Sequence, residues 1–526
     1  MATTTQPALV SSETRRLSRT WLPTAVALLA VAVFLLTGLR HLAVVPQVYE
    51  DEPWQASTAY SLMTSGVFGS SLFAGFYDMD QRYYGFMPLH PLLLAGVFRV
   101  LGPGLAQARL ETVLLGLATL GLTFALGARL FGAWVGALAV VLLVVVRWTG
   151  LTYVQLSGIP LVDFARIARY DPLVPVIGLC ALHVYLSARS RCSAGLYLAA
   201  GALAGLSGLA HVYGLFWVPA LLLLALVDGR LRQAGWLLAG GVLAWLPYAA
   251  YVLTDLPDWR GQTAIYASRF ELLNPAWYLD NLAEEYHRYG PGLGPAGPGW
   301  LSRPGFWLLL VGLPVALVVL ARRALFTRDA AARAIVVPAV LFPVLFAVFI
   351  KLKLVNYTLI ELPLFAVAVG WLVSMLWRRA AVRPIVAALG VAVLLEGGLS
   401  LVRLDTAAAT TTPYPTFISE IRAYLPVGSR VLGLHSYWLG LEDFDYRSFL
   451  VPLNWADEGL PLDQGLSRVA PDIVLLDARM RAYFDQPEVR ADHDRFHGWL
   501  GQHGGQVIGR IDDPTYGLME VYRVQR

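Results

Sequence analysis

Lysine is almost missing from this 526-residue chain: Lys351 and Lys353 stand two positions apart, and arginine serves every other basic position. Cysteine is as scarce, with Cys180 inside an apolar run and Cys192 in a polar turn, which excludes a disulfide framework and any zinc site built on paired cysteines. Charged residues make up 14% of the chain, against roughly 25% in soluble domains. The net charge of +4 comes from arginines scattered over short turns, so there is no basic stripe of the kind that binds nucleic acid. What fills the chain instead is apolar: 57% hydrophobic residues, with a mean hydropathy of +0.58. This is the composition of a polytopic membrane protein.

A spanning helix takes about 20 apolar residues. Runs of that kind occur at 21–40, 109–127, 132–148, 171–188, 194–210, 212–227, 234–253, 305–321, 334–350, 356–376 and 384–402, about eleven spans. Arginines concentrate on the cytoplasmic side of short loops. Arg15, Arg16 and Arg19 precede the first span, and Arg129, Arg189, Arg191, Arg230, Arg232, Arg322, Arg323, Arg378, Arg379 and Arg383 all fall in turns on that same side if every run crosses. The expectation is a multi-pass plasma-membrane protein with its N-terminus in the cytoplasm. Segments 41–108, 149–170 and 254–304 and the C-terminal region then face outward. The first apolar run has the length of a span and no small-residue cleavage pattern, so it does not read as a cleaved signal.

After residue 403 the apolar runs shorten to strand length, at Arg430–Leu434, Asp472–Asp477, Gln506–Ile511 and Leu518–Val524, with a helix including Ile418–Tyr424. This predicts two domains: a helical membrane domain over 1–402 that includes the external segment 41–108, and an extracytoplasmic α/β domain over 403–526. The Gly/Pro-rich stretch from Gly290 to Gly299 reads as a loop.

Chemistry is expected first at Glu50, Asp51 and Glu52, three acids just beyond the first span. Carboxylates at a bilayer edge are costly without a task, and more than sixty residues follow where a connector needs only a few. Pro53 suits a first helical turn, and Trp54–Thr64 predicts an interfacial helix anchored by Trp54, Tyr60, Leu62 and Met63. Its N-terminus would favour ionised acids through the helix dipole, the form that a general base or a metal ligand requires; a plain capping cluster is the alternative. The two lysines lie on the side where positive charge is disfavoured. A phosphate would be a partner for them, as would lipid headgroups.

The order of these features resembles a known group. An acidic pair after the first span, the turn Tyr83-Tyr84-Gly85-Phe86-Met87-Pro88-Leu89-His90-Pro91, the segment Arg166-Ile167-Ala168-Arg169-Tyr170-Asp171-Pro172 before the fourth span, and Lys353…Tyr357…Pro363 near a late one look like the GT-C fold glycosyltransferases that use polyprenyl-phosphate sugars. The nearest pattern is that of the aminoarabinose transferases and protein O-mannosyltransferases, over the chain to about residue 400. The resemblance implies an inverting hexosyl- or pentosyltransferase of the cell envelope. It would move a sugar from a polyprenyl-phosphate donor to a hydroxyl of a lipid, glycan or protein acceptor at the non-cytoplasmic face of the bilayer.

The resemblance also implies roles. Asp51 is the catalytic base and Glu52 its supporting carboxylate; Asp171 is a second acidic site that orients the sugar or shares a divalent cation with Asp51, and it reads equally as a cap of the fourth span. Arg166, Arg169, Lys351, Lys353, Tyr357 and His90 are candidates for the donor's phosphate or sugar. Beyond the possible cation no cofactor is implied. One position departs from the group: Met87 stands where the aminoarabinose transferases carry a lysine. Transport or flipping of a lipid-linked saccharide is the alternative function. That reading predicts internal halves or broken helices with charges at midplane, whereas an enzyme requires Asp51, Asp171 and Lys353 to gather at one external cavity.

Overall fold

In a computed structural model of the chain, residues 10–148, 152, 154–269, 271–289 and 303–525 are described; the Gly290–Gly299 stretch lies outside them. Uncharged sequence after Trp21 continues helix α1 (Val10–Leu39). The other long helices are α2 (Asp51–Ser65), α3 (Leu89–Leu101), α4 (Leu105–Phe131), α5 (Ala133–Val145), α6 (Leu173–Arg191), α7 (Ala194–Ala210), α8 (Trp217–Val227), α9 (Leu231–Leu253), α10 (Leu313–Phe326), α11 (Ala330–Phe349), α12 (Leu362–Trp377) and α13 (Arg383–Thr410). Among the described residues, seven helices are long and apolar enough to cross a membrane, and the shorter apolar helices α5, α7, α8 and α12 occupy the other four expected positions.

The short spans bear on function. Helix α7, of 17 residues, rises about 26 Å against a hydrocarbon core of about 30 Å. It stops at His211, and a 3₁₀ turn from Val212 to Phe216 follows. Helix α12 likewise begins only after the 3₁₀ segment Val355–Ile360. Non-helical backbone at that depth is tolerated only where protein buries it, and Val355–Ile360 is buried throughout. The helices are therefore short where their ends line something.

Glycines set the spacing of α7 against α9. A Cβ on Gly201 would meet the Leu237 carbonyl oxygen at 1.9 Å, and one on Gly240 would meet that of Leu198 at 2.0 Å, so only glycine permits this approach of two backbones. At the opposite end from α2, Asp228 joins three turns, 3.1 Å from Arg189 and 3.0 Å from Arg333. Several of the arginine-bearing turns therefore meet at one end of the bundle.

The C-terminal region forms a five-stranded sheet: β1 (Arg430–Gly433), β2 (Asp445–Ser448), β3 (Ile473–Leu476), β4 (Gln506–Asp513) and β5 (Gly517–Arg523), in the order β2-β1-β3-β5-β4. The first three are parallel, and β5 runs antiparallel to both β3 and β4. Strand β2 was not expected, because Asp445-Tyr446-Arg447-Ser448 at a sheet edge carries no apolar run. Two cores result. One runs through the bundle; the other joins Val48, Ala56, Phe73, Phe98 and their neighbours from the segment after α1 to the interior of the C-terminal sheet.

That second core corrects the expectation for α2. It is a helix over the expected residues, with Gly66 at φ +73° closing it by donating its amide N–H to the Leu62 carbonyl, but it is not an interfacial anchor. Seven of its residues from Glu52 to Ala59 are buried. Trp54 packs on Phe73, Phe86 and His435, and Tyr60 on Trp438. The aromatics that suggested a bilayer surface are packed inside the protein: Trp54 finds Phe73 and Phe86 in its own external segment and His435 in the C-terminal region, and Tyr60 finds Trp438 there.

Candidate active site

Consecutive residues on a helix point about 100° apart, and the acidic triplet at the start of α2 diverges accordingly. Glu50 is exposed and pairs with Arg479 of the C-terminal domain at 3.0 Å. Glu52 is fully buried. Its Oε1 accepts from Arg109 Nε and the Ala168 amide, and its Oε2 accepts from Arg109 Nη2 and the Tyr49 amide, each at 2.8 Å. Glu52 thus joins α2, α4 and the segment before α6, and has no oxygen left over for a substrate.

Asp51 keeps about a fifth of its side-chain surface open. Its Oδ2 lies 2.6 Å from Arg169, whose Nε also donates to Asp171 Oδ2 at 2.8 Å. One guanidinium therefore bridges the two acids that the sequence places 120 residues apart, packed over the rings of Tyr49 and Tyr170. Burial raises the pKa of Asp51 above the ordinary carboxylate range, and Arg169 opposes that rise. Asp171 does not cap a helix: its Oδ1 accepts from the Tyr213 hydroxyl and from Asn356 Nδ2, both at 2.9 Å. Tyr170, His211, Tyr213 and Tyr357 stack against one another beside it. This aromatic floor is what the shortened ends of α7 and α12 line.

The remaining candidates separate. Arg166 is buried and donates to the carbonyls of Thr37, Gly38, His41 and Val45, closing the C-terminal end of α1, where cations satisfy orphan carbonyls. Lys351 is exposed. Lys353 pairs with Glu285 at 2.7 Å, and Glu285 also binds Arg288 at 2.6 Å. The Arg288 guanidinium stacks over Tyr357, so Lys353 joins the acidic pair only through a relay of contacts. Burial lowers its pKa, opposed by Glu285. His90 is buried, its Nδ1 bonded to Gln55 and its Nε2 3.5 Å from Glu111. Burial pushes its pKa down to about 3.

A divalent cation between Asp51 and Asp171 does not fit this arrangement, because the Arg169 guanidinium takes the bridging position between their Oδ2 atoms. Among the described residues no group of three or more His, Cys, Asp or Glu side chains is placed to hold a metal.

Some residues of the site carried no assignment from sequence. Arg109 looked like the border of a span. Asn356 stood beside Tyr357, and Tyr213 lay inside the expected span 212–227. Arg269 lies in the segment 254–304 expected to face outward, from which no residue was singled out. It makes no ion pair among the described residues, stacks over Tyr266 at 4.7 Å, and its charge favours the ionised form of Asp51. Near this end of the bundle, Phe68, Pro88, Leu89, Leu92, Leu206, Leu209, Ala244, Pro247, Tyr248 and Tyr251 line an apolar groove of about 370 Å³. Leu209 is two residues from His211.

No protein-family model and no curated protein matches this sequence. Solved structures do. The crystal structure of ArnT from Cupriavidus metallidurans bound to undecaprenyl phosphate is 15% identical with a TM-score of 0.60, over 94% of this chain and 97% of that one. An Archaeoglobus fulgidus oligosaccharyltransferase in complex with Zn and sulfate is 14% identical with a TM-score of 0.59, over 95% of this chain and 73% of that one. The chain has the GT-C fold of a polytopic membrane protein, as the resemblance implied.

Proposed function

We propose that this chain is a membrane glycosyltransferase that moves a sugar from a polyprenyl-phosphate donor to a hydroxyl acceptor on the non-cytoplasmic face. The observation that carries the reading is the Asp51–Arg169–Asp171 bridge, partly open, floored by aromatic rings and bordered by an apolar groove. ArnT, which shares the fold, binds undecaprenyl phosphate, and the groove between α3, α7 and α9 has the apolar lining that a prenyl chain requires.

In the proposed reaction Asp51 takes the proton of the acceptor hydroxyl, whose oxygen attacks the anomeric carbon from the face opposite the phosphate. The bond from that carbon to the phosphate oxygen breaks, and polyprenyl phosphate leaves with the electron pair. Asp171, fixed by Tyr213 and Asn356, orients the sugar. Arg169 holds both carboxylates in place. The leaving phosphate needs positive charge as it departs, and Arg269, which makes no ion pair among the described residues and lies in the field of Asp51, supplies it; Lys353 and Arg288 add to the field around Glu285. The arginine-bearing turns face the cytoplasm on this reading, and the site and the C-terminal domain lie outside.

The test is to incubate the purified protein with polyprenyl phosphates carrying different hexoses and pentoses and to follow release of polyprenyl phosphate. Turnover on at least one donor, lost in Asp51→Asn, is expected. No release from any donor, or full turnover by the variant, overturns the assignment.

A further inference from the structure

Three buried polar residues from three helices meet beside the site without a role in the reaction above: Gln55 on α2, His90 on α3 and Glu111 on α4. Their hydrogen bonds are decided by arithmetic. His90 Nδ1 contacts Gln55 Oε1, and an amide oxygen only accepts, so Nδ1 carries the hydrogen. Burial keeps the ring neutral, which makes Nε2 an acceptor. Its neighbour is Glu111 Oε2 at 3.5 Å. Glu111 can donate there only as a neutral carboxylic acid. Among the described residues it has no cationic partner, and neither oxygen has a hydrogen bond. The reverse assignment, with Nε2–H facing a carboxylate, would leave a buried anion with one weak neutral donor, which desolvation disfavours.

The line of contacts therefore runs from Glu111, 3.5 Å from His90 Nε2 and not hydrogen-bonded to it, through His90 to the Gln55 oxygen, and it ends on a loose group. Gln55 Nε2 is buried with no hydrogen-bond partner among the described residues. Orphaned buried donors are rare enough to require an explanation. Gln55 stands one helical turn after Asp51, on the same face of α2, and His90 lies within the field of Asp171 and Arg169. The unpaired N–H groups are thus next to the position proposed for the sugar, held in a single orientation by two residues behind them.

We propose that Gln55 is a sugar-binding residue whose amide donates to a hydroxyl or ring oxygen of the donor sugar, and that His90 and Glu111 are positioning residues that fix the amide. This rests on the donor assignment made above. Only the sugar distinguishes the two ligands needed to test it: undecaprenyl phosphate, and undecaprenyl phosphate carrying the sugar that the release assay identifies. Binding of each to the full chain in lipid nanodiscs is measured for the wild type and variants. Gln55→Glu keeps an oxygen for His90 and removes the donor. It should bind the sugar-bearing lipid about five- to tenfold more weakly, the range of one lost hydrogen bond, with undecaprenyl phosphate unchanged, which also reports correct folding.

Glu111→Gln, whose amide can face His90 Nε2 as a donor as the neutral acid can, should stay within about twofold of wild type on both lipids, whereas Glu111→Leu should weaken the sugar-bearing lipid alone. Equal losses on both lipids in Gln55→Glu, or a loss confined to the KM of the acceptor, overturn the proposal. So does an undiminished affinity of Gln55→Glu for the sugar-bearing lipid. A wild type that turns over a donor while Gln55→Glu binds it normally sinks this inference and leaves the enzyme assignment standing. A wild type that releases polyprenyl phosphate from no donor sinks both.

Discussion

Replacing Glu52 by glutamine should unfold the protein more readily without touching the chemistry, and the geometry says why. Each carboxylate oxygen of Glu52 accepts two bonds, one from Arg109 and one from a backbone amide. Whichever oxygen becomes an NH₂ group, two donors then face a donor. Arg109 is fully buried, and although it keeps the Leu42 and Pro46 carbonyls at 2.9 Å, it loses its only anionic partner. Breaking a buried ion pair from one side costs about 3–5 kcal/mol, and two stranded donors fall within that range. Asp51→Asn leaves Arg169 its bond to Asp171 and strands no fully buried cation, so it should cost less than Glu52→Gln. Thermal denaturation in detergent, followed by tryptophan fluorescence alongside polyprenyl phosphate release, separates the two acids. Glu52→Gln should melt several degrees lower yet turn over donor at a temperature where it is folded. Asp51→Asn should melt near wild type and be inactive. A Glu52→Gln protein with a wild-type melting curve and no turnover would refute this division and make Glu52 a chemical group.

Further outcomes follow from the same contacts. The pKa of Asp51 is raised by burial and held back by Arg169, so the acid limb of kcat/KM should lie above the ordinary carboxylate range, and Arg169→Gln should move it to still higher pH; an unmoved limb excludes Asp51 as the base. His90 and His435 are both pushed down to about 3 by burial, so the unfolded chain binds more protons between that value and about 6.5. Stability is complete above that window and falls as pH drops into it, by about 2 kcal/mol per histidine between pH 7 and 5; His435→Gln should make the melting midpoint less sensitive to acid. Arg269→Gln should weaken undecaprenyl phosphate binding about tenfold or more, the range for a bond to a charged group. Lys353→Gln should weaken it less, because Glu285 already holds that lysine; equal losses would mean that Glu285 yields to the phosphate.

Long apolar runs made the bundle legible, since eleven expected spans correspond to helices. The break at His211 lay between two expected runs, but the 3₁₀ segments Val212–Phe216 and Val355–Ile360 were not visible, because an apolar run reads the same whether its end is α-helical or coiled more tightly around a site. The bridge between Asp51 and Asp171 was anticipated only as two acids sharing a cation. That the cation is a guanidinium depends on Arg169 folding back on its own neighbour two residues away, which spacing does not reveal. Arg166 and Arg169 are three residues apart in one segment and looked equivalent as phosphate ligands. One closes α1 and the other organises the site, and only the positions of the α1 carbonyls tell them apart. The two lysines were conspicuous by rarity, but rarity said nothing of Glu285, which neutralises the more buried of them.

The acidic triplet shows how one helical turn couples three parts of the molecule. Turning about 100° per residue, α2 directs Glu52 to Arg109 in the bundle, Asp51 to Arg169 in the site, and Glu50 to Arg479 in the C-terminal domain. The partners differ in stiffness. Arg109 is buried and has five hydrogen-bond contacts within 3.3 Å, whereas Arg479 and Glu50 are about half exposed, so their pair contributes under about 1 kcal/mol. The bundle therefore fixes the position of Asp51, and the C-terminal domain holds its place through the aromatic contacts of Trp54 and Tyr60 rather than through the ion pair. Arg479→Ala should accordingly leave the melting midpoint and turnover near wild type, while Trp54→Ala, which empties the space between Phe73, Phe86 and His435, should lower both. If Arg479→Ala alone abolished turnover, Asp51 would depend on the C-terminal domain for its charge environment and not merely for its packing.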